Sequence, residues 1–298
     1  MKNSVCVIIP CYKDSSTLDR AIRSVYAQTR KVNEIIVVND FSPETQEIEE
    51  ILIRHPGIKY IKNIKNYGLA KTRNIGVKNS KSEIITFLDA DDEIHPQKIE
   101  FQLSIYKDNV AISCSVDRVN LNNHWTHSKN FKSILKKKYS KSHILIFRNV
   151  ITGSGIMISK KILLELGGYD ENLRSSEDWD LWLRIMDRKI DVININLPLY
   201  IYYYNPDGLS KNSLNITISE TFVVKKYCLN LKSNLFIQLI WFSTCLKQIL
   251  RKNKLENNNL KNIVLNNIES ENKLNLAKLL LYVIFKIKYS INNLRWNS

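Results

Sequence analysis

Strand-like and helix-like segments alternate through the first 95 residues of the chain. The short runs "SVCVIIP", "EIIVVND", "IKYIKN" and "EIITFLDADD", rich in β-branched residues, predict four strands. The intervening segments "STLDRAIRSVYAQT", "PETQEIEEILIRH" and "GLAKTRNIGVKN" predict helices. This alternation predicts an α/β fold with a mostly parallel central sheet that is covered by helices on both faces.

Polar motifs follow three of the predicted strands. These motifs are "PCYKD", "NDFS" and "DADD". Ligands of parallel α/β sheets bind beyond the carboxyl ends of the strands, so we expect the three motifs to converge on one crevice.

The motif "DADD" concentrates negative charge at the end of an apolar run. On an extended segment, Asp89 and Asp91 project to the same side. Their oxygens suit a hard divalent cation, Mg²⁺ or Mn²⁺, which completes its coordination with phosphate oxygens. The alternative is an acidic turn that caps the next helix, which is predicted to begin near Pro96.

A second acidic cluster begins the segment "SSEDWDLWLRIMDRKI". Its apolar residues recur at helical spacing and predict a packed amphipathic helix. Asp178 stands near the helix start beside Trp179 and Trp182, an apolar setting that can tune a general base. The alternative is an ordinary capping arrangement between Ser175 and Asp178.

Composition predicts a boundary near residue 210. All eight glycines and all six prolines lie at or before Gly208. From Lys211 onward, 14 Lys and Arg stand against 4 Glu, which is most of the net charge of +15. We therefore expect an α/β domain over 1–210 and a basic, amphipathic α-helical tail over 211–298.

The five cysteines are odd in number and form no CxxC pair, which favours a reducing cytosol over a disulfide framework or a zinc site. No stretch reaches the roughly 20 apolar residues that span a bilayer. We therefore expect a cytoplasmic protein.

An ordered set of motifs resembles the family 2 glycosyltransferases. The motifs are "VIIPCYKD", "EIIVVNDFS", "NYGLAKTRNIG", "FLDADD", "GSGIMISKKILLELGGYDENL" and "EDWDLWLR", over roughly residues 3–200. The resemblance implies an inverting enzyme with a GT-A (Rossmann-like) nucleotide-sugar-binding domain. In it, residues of about 1–95 would bind the nucleotide and those of about 96–210 the acceptor.

The resemblance also implies roles for individual residues on the donor side. Pro10 and Tyr12 would form the wall against which uracil packs, and Asp40 would accept the N–H of the base. Arg73 would lie near the donor crevice, and Asp89 would face the ribose or the donor sugar.

On the acceptor side, the resemblance implies Asp178 as the catalytic base. Gly153, Ser154 and Glu177 would belong to the acceptor site. Asp91 would be the metal ligand that holds the diphosphate through Mn²⁺ or Mg²⁺.

Three residues depart from the family pattern on the donor side. Lys13 stands where Asn is usual, Asn39 where a first Asp is usual, and Phe41 where Gly is usual. The departures concern the finer donor contacts.

By this resemblance, the function is transfer of a sugar from a UDP-sugar to a hydroxyl of a glycan acceptor by single displacement. The acceptor would be a polyprenyl-diphosphate-linked intermediate of bacterial surface polysaccharide, such as O-antigen or capsule.

Two other classes of protein are alternatives to a glycosyltransferase. A nucleotidyltransferase would usually carry an early Gly-rich phosphate loop, and this chain has none. A nucleic-acid binder is suggested by the charge and by "KNFKSILKKKYSKSH", a run more typical of a solvated loop or helix face; no nucleic-acid-reading module is present, so we expect no nucleic-acid partner.

The tail carries apolar helical segments interrupted by Lys and Arg, such as "LNLAKLLLYVIFKIKYSINNLRW". These helices could dock onto the catalytic domain. Alternatively, they could lie in the bilayer interface with basic residues on anionic headgroups. We expect the second, which predicts a peripheral protein on the inner face of the cytoplasmic membrane.

Overall fold

The computed structural model describes residues 3–119, 136–138, 151, 153–205, 208 and 213–228. The chain divides into two compact units, Met1–Gly208 and Leu209–Ser298. The division lies close to the position where glycine and proline disappear from the sequence. The functional assignment of the two halves of the first unit stays a prediction.

The first unit alternates strands and helices along most of its described length. Its strands are β1 Val5–Cys11, β2 Glu34–Asn39, β3 Lys59–Lys62, β4 Ile84–Phe87, β5 Glu93–Ile94, β6 Val110–Val119, β7 Lys136–Lys138, β8 Met157–Ser159 and β9 Asp191–Tyr203. Its helices are α1 Ser15–Tyr26, α2 Thr45–Ile53, α3 Leu69–Asn79, α4 Lys98–Ser104, α5 Lys160–Glu165 and α6 Glu177–Asp187.

Four parallel strands form the first half of the sheet, in the order β3-β2-β1-β4. Every residue of β1 is buried, as expected of an apolar strand with both faces covered. Leu18, Ile22 and Val25 of α1 belong to the same core. The strand order reverses between β1 and β4, which is where open α/β sheets form their ligand crevice.

Beyond β4 the sheet is mixed. β8 is antiparallel to both β4 and β6, while β9 is parallel to β6 and antiparallel to β5 and β7. Because Met157 at the start of β8 pairs with Thr86 near the end of β4, the loop 153–156 lies at the carboxyl edge of β4. The predicted α/β fold is confirmed, and this antiparallel insertion brings a distant loop to the crevice.

The acidic motif differs from the prediction in its local structure. β4 ends at Phe87, and the backbone N–H of Asp92 donates to the carbonyl of Asp89 at 3.1 Å, so the cluster lies in a turn and not on a strand. β5 separates this turn from α4, whose N-cap is Gln97. The cluster therefore does not cap the next helix.

The run "KNFKSILKKKYSKSH" was predicted to be a solvated loop or helix face, and part of it has a different structure. Its residues Lys136–Lys138 form β7, which pairs with β9. The exposed Lys138 ammonium contacts the Asp191 carboxylate at 2.7 Å. The rest of the run lies outside the described residues.

In the second unit the described element is α7 Ser213–Cys228. Across the described stretches of the chain, no helix combines the length and apolarity needed to cross a membrane. The apolar tail segments named above lie beyond the described residues.

Candidate active site

The three polar motifs meet at the carboxyl ends of β1, β2 and β4. The backbone N–H of Asp40 donates to the carbonyl of Cys11 at 2.9 Å, which joins the ends of β2 and β1. Burial, followed by the charges of Asp91 and Asp89, raises the pKa of Asp14 to about 7. The crevice therefore concentrates negative charge that a bound cation would offset.

A single buried guanidinium joins the two sides of this crevice. Arg73 of α3 donates to Asp89 Oδ1 at 2.8 Å, to Ser154 Oγ at 3.1 Å and to Glu177 Oε1 at 2.7 Å. The Ser154 hydroxyl in turn donates to Asp89 Oδ2 at 2.6 Å. We call these four residues the Arg73 cluster.

The role of Arg73 in donor binding stays a prediction. The residue is 2% exposed and lies at the crevice among the side chains that it contacts. Burial alone would lower the pKa of the guanidinium, but the charges of Asp89 and Glu177 raise it above its usual range. Arg73 stays charged and positions the carboxylates of both sides.

The three carboxylates of the acidic turn have different partners. Asp92 is buried, and it accepts hydrogen bonds from the Tyr200 hydroxyl at 2.7 Å and the Tyr203 backbone N–H at 2.8 Å. Asp91 accepts one from Asn205 Nδ2 at 3.2 Å. The bonds of Asp92 to Tyr200 and Tyr203 anchor the turn to β9, and burial with the charges of Asp89 and Asp91 raises the pKa of Asp92 to about 8.

The carboxylate of Asp40 is largely occupied by the chain itself. Oδ1 accepts from Asn63 Nδ2 and from the Tyr67 backbone N–H, both at 2.8 Å, and Oδ2 accepts from the Gly68 N–H at 2.7 Å. A carboxylate has about four lone-pair sites, so one more donor could still be accepted. Binding of the base stays a prediction, and Asp40 also fixes the loop that leads into α3.

The start of α6 places Asp178 against the loop 153–156. A Cβ at Gly153 would lie 3.1 Å from Asp178 Oδ2, a tight contact that would push against the Asp178 side chain. Asp178 Oδ1 accepts from the Trp179 backbone N–H at 2.7 Å. Asp180, by contrast, is fully buried and accepts from Arg184 Nε at 2.7 Å, so Asp178 is the better placed of the two to meet a substrate.

A buried lysine supports the same loop from below. Lys98 Nζ donates to Thr86 Oγ1 at 2.7 Å and to Gln102 Oε1 at 2.9 Å. Gln102 Nε2 donates to the carbonyl of Gly155 at 2.8 Å. Burial lowers the pKa of Lys98 to about 8.

Comparison with known proteins agrees with this geometry. Residues 6–167, more than half of the chain, match the family described as Glycosyl transferase family 2. The chain belongs to glycosyl transferase family 2. This confirms the resemblance and the assignment to the glycosyltransferases over the alternatives that we weighed.

Relatives of this transferase are uncharacterized glycosyltransferases. One from Rickettsia bellii is 33% identical over 187 residues, which are 61% of this chain and 27% of that protein. One from Methanocaldococcus jannaschii is 31% identical over 207 residues, which are 64% of this chain and 68% of that protein. The chain spans between about a quarter and three fifths of the Rickettsia relatives that it matches.

Solved structures share the fold of this transferase. The crystal structure of S. aureus TarS 1-349 in complex with UDP-GlcNAc aligns with a TM-score of 0.65 at 16% identity, covering 89% of this chain and 79% of that one. The complex of TarS 1-349 with UDP aligns with a TM-score of 0.58 at 18% identity, covering 83% and 72%. The α/β unit thus has the GT-A fold.

Two of the three departures from the family pattern occupy unusual backbone conformations. Lys13 has φ 61° and Phe41 has φ 58°, in the left-handed region that Asn and Gly tolerate best. For other residues, this left-handed conformation is unfavourable by about 1–2 kcal/mol. Asn39 is buried, and its amide donates to Thr45 Oγ1 and to the Tyr60 hydroxyl at 2.9 Å each, so it shapes the turn that follows β2.

Of the two residues predicted to form the wall for the base, Pro10 is buried within β1, whereas Tyr12 is 41% exposed beyond it.

The transferase also has site residues that the sequence did not reveal. The exposed Arg174 lies over Gly68, because Nη1 would be 2.9 Å from a Cβ at that position. Arg174 and Asn205 carry no distinctive local motif, and only the fold brings them to the crevice.

Proposed function

We propose that the chain moves a sugar from a UDP-sugar to a hydroxyl of a glycan acceptor, with inversion at the anomeric carbon. The observation that carries the proposal is the Arg73 cluster, which ties Asp89 on the donor side to Glu177, the neighbour of Asp178. A donor carboxylate and a candidate base thus border one crevice. TarS structures with UDP and UDP-GlcNAc support a UDP-sugar donor.

Asp178 is the proposed base. An acceptor hydroxyl is a poor nucleophile until its proton is removed, and Asp178 takes that proton as attack begins. The lack of a side chain at Gly153 leaves room beside Asp178 Oδ2. Attack opposite the leaving diphosphate gives a β-linked product from an α-linked donor, without a covalent enzyme intermediate.

Asp91 is the proposed ligand of Mg²⁺ or Mn²⁺. Burial and the charge of Asp89 raise the pKa of Asp91, so a cation at this carboxylate would relieve an unfavourable charge. Among the residues that the structure describes, no group of three or more His, Cys, Asp and Glu forms a metal cage. Mg²⁺ commonly needs only one or two carboxylates beside substrate phosphates and water, so Asp91 fits. When bound, the metal would stabilise the charge of the leaving diphosphate.

The proposed acceptor is a polyprenyl-diphosphate-linked glycan of bacterial surface polysaccharide synthesis. The proposed location is the cytoplasmic face of the membrane, reached through the basic tail. Each basic residue near an anionic surface contributes about 1 kcal/mol, an attraction that salt screens. The chain should sediment with anionic vesicles at low salt and be released in part at high salt. An intact chain that ignores such vesicles at low salt would contradict this placement.

The test of the reaction begins with radiolabelled UDP-sugars offered with lipid-linked glycan acceptors. With the active pair, Asp178→Asn should lower turnover by about 10²-fold or more and leave UDP affinity unchanged. NMR of the product should show inverted anomeric configuration. Retained configuration, or full turnover by Asp178→Asn, would contradict the mechanism.

The metal has its own test. Chelation should abolish transfer, and Mn²⁺ or Mg²⁺ should restore it. Asp91→Asn should weaken metal-dependent UDP binding, measured by calorimetry, together with turnover. Full activity in excess chelator would remove the metal from the proposal.

A further inference from the structure

Left-handed backbone conformations gather around the crevice. Lys13, Phe41 and Ser176 have φ of 61°, 58° and 57°, and each adjoins a polar motif of the site. Phe41 is the most unusual of them, because a bulky aromatic residue rarely adopts positive φ. Strain of this kind persists where surrounding structure imposes it, and it is common at functional sites.

The surroundings of Phe41 explain how the conformation is held. The Ser42 backbone N–H donates to Asn39 Oδ1 at 2.8 Å, and Thr45 Oγ1 donates to the Ser42 carbonyl at 2.6 Å. The Lys13 backbone N–H donates to Ser42 Oγ at 3.0 Å. The turn after β2 is therefore fixed on both sides of Phe41 and tied to the end of β1.

Two exposed aromatic side chains result from this arrangement. Phe41 is 53% exposed and Tyr12 is 41% exposed, at the ends of the paired strands β2 and β1. Glycine at position 41 would remove both the strain and an exposed apolar surface. Fold stability and solubility therefore give no reason for phenylalanine here, whereas its position at the carboxyl edge of the sheet is where ligands of α/β folds bind.

We propose that Phe41 is a donor-binding residue whose ring stacks on the nucleobase of the donor. The inference rests on the proposed nucleotide-sugar donor. A base has flat π faces that stack on aromatic rings and polar edges that require hydrogen bonds. Phe41 and Tyr12 supply ring surface, and Asp40, which precedes Phe41, has one acceptor position left for an edge N–H.

The experiment is calorimetric binding of uridine, UMP and UDP to the full chain. Phe41→Leu, which keeps an apolar side chain without a ring, should bind all three about tenfold more weakly. The loss should be the same for the three ligands, because a stacking contact is independent of the phosphates. Phe41→Tyr should bind like the wild type.

Stability separates this role from a structural one. Phe41→Gly should bind as weakly as Phe41→Leu, with a Tm equal to or above that of the wild type, since the backbone strain is relieved. Lys189→Gly is the matched control. Lys189 has φ 57° just after the end of α6, away from the crevice, so this variant should raise the Tm and leave binding unchanged.

The remaining outcomes overturn either the inference about Phe41 or the proposed UDP donor. Wild-type affinity of Phe41→Leu, a loss that grows with the number of phosphates, or a large fall in Tm of Phe41→Gly would overturn the inference. If the wild type binds GDP or CDP in place of UDP, the UDP donor is wrong, and the same variants test Phe41 with that nucleotide and its nucleoside. If it binds no nucleotide, both proposals fail.

Discussion

The crevice has two parts that differ in how far their side chains are exposed to solvent. The Arg73 cluster is bonded within itself, around a guanidinium that is almost fully buried. The rim, which we define as Tyr12, Phe41, Asp91 and Asp178, has exposed or partly exposed side chains. From this difference we propose that the cluster holds the geometry of the site and that the rim contacts the substrate.

The energetics of burial explain why the cluster is suited to that task. Removing a charge from water costs several kcal/mol, which is recovered only if partners are placed in good geometry. Such a group tolerates little displacement of α3, the loop 153–156 or α6, because each supplies one of its members. The following predictions test the contrast, beginning with the largest expected effect.

Arg73→Met should be strongly destabilising. The substitution keeps an unbranched side chain but leaves Asp89 and Glu177 without their shared cation. Breaking a buried ion pair in this way costs about 3–5 kcal/mol, measurable by urea unfolding.

Arg23→Met is the matched control. Arg23 contacts Asp19 at 2.6 Å on the exposed face of α1, and pairs of that kind contribute about 1 kcal/mol or less. Equal losses for Arg23→Met and Arg73→Met would remove the distinction between cluster and surface.

Lys98→Met tests whether the buried lysine that supports the loop 153–156 has a lowered pKa. The pKa of Lys98 is about 8 in the folded chain and 10.5 in the unfolded chain. The unfolded state therefore binds more protons between these values, and the contribution of Lys98 to stability rises with pH across that window. This contribution to stability is fully present above pH 10.5 and is lost as pH falls through 8.

The measurement is the free energy of unfolding of wild type minus that of Lys98→Met, at pH 7 and pH 10. The difference should move in favour of the wild type by on the order of 3 kcal/mol at the higher pH. Tyrosines and the cysteines other than Cys114 titrate in both proteins and cancel. Because the charge of Lys98 lowers the pKa of Cys114, both proteins carry Cys114→Ala in this measurement. A difference that stays constant with pH would mean that Lys98 is not held at a lowered pKa.

Asn205→Ala should affect the rim and spare the fold. Asn205 Nδ2 contacts Asp91 Oδ2 at 3.2 Å, so it orients the proposed metal ligand. Loss of an orienting partner weakens metal binding by about tenfold, which a Mn²⁺ titration of UDP binding would detect. The Tm should change by no more than a few degrees; a large fall in Tm with unchanged Mn²⁺ dependence would assign Asn205 to the fold.

Sequence reasoning predicted the elements that depend on local pattern. The strands β1 to β4 and the helices α1 to α3 and α6 agree with their predicted positions within about three residues, except that β4 stops before the acidic motif. β-branched runs and helical periodicity encode such elements directly. The same logic placed three polar motifs at one edge of the sheet.

Local sequence patterns did not predict contacts between segments that lie far apart in the chain. Nothing in "GSG" or "FLDADD" indicates that Ser154 binds Asp89, because that contact depends on the antiparallel direction of β8. Arg73 was expected at the donor crevice, and its burial is accompanied by ion pairs with two carboxylates that come from the turn after β4 and from α6. The positive φ of Phe41 likewise depends on bonds of Asn39 and Ser42 that the sequence does not display.

The most direct test of the contrast compares neighbours, Glu177→Gln and Asp178→Asn. Both changes remove one negative charge from the start of α6, but only Glu177 belongs to the Arg73 cluster. Unfolding free energy and turnover would be measured for each variant with the same UDP-sugar and acceptor. We predict that Glu177→Gln loses about 1–3 kcal/mol of stability. Asp178→Asn should lose about 10²-fold or more in turnover and less than about 1 kcal/mol of stability. Full turnover by Asp178→Asn, or an unchanged stability of Glu177→Gln, would contradict the division between a positioning cluster and a reacting rim.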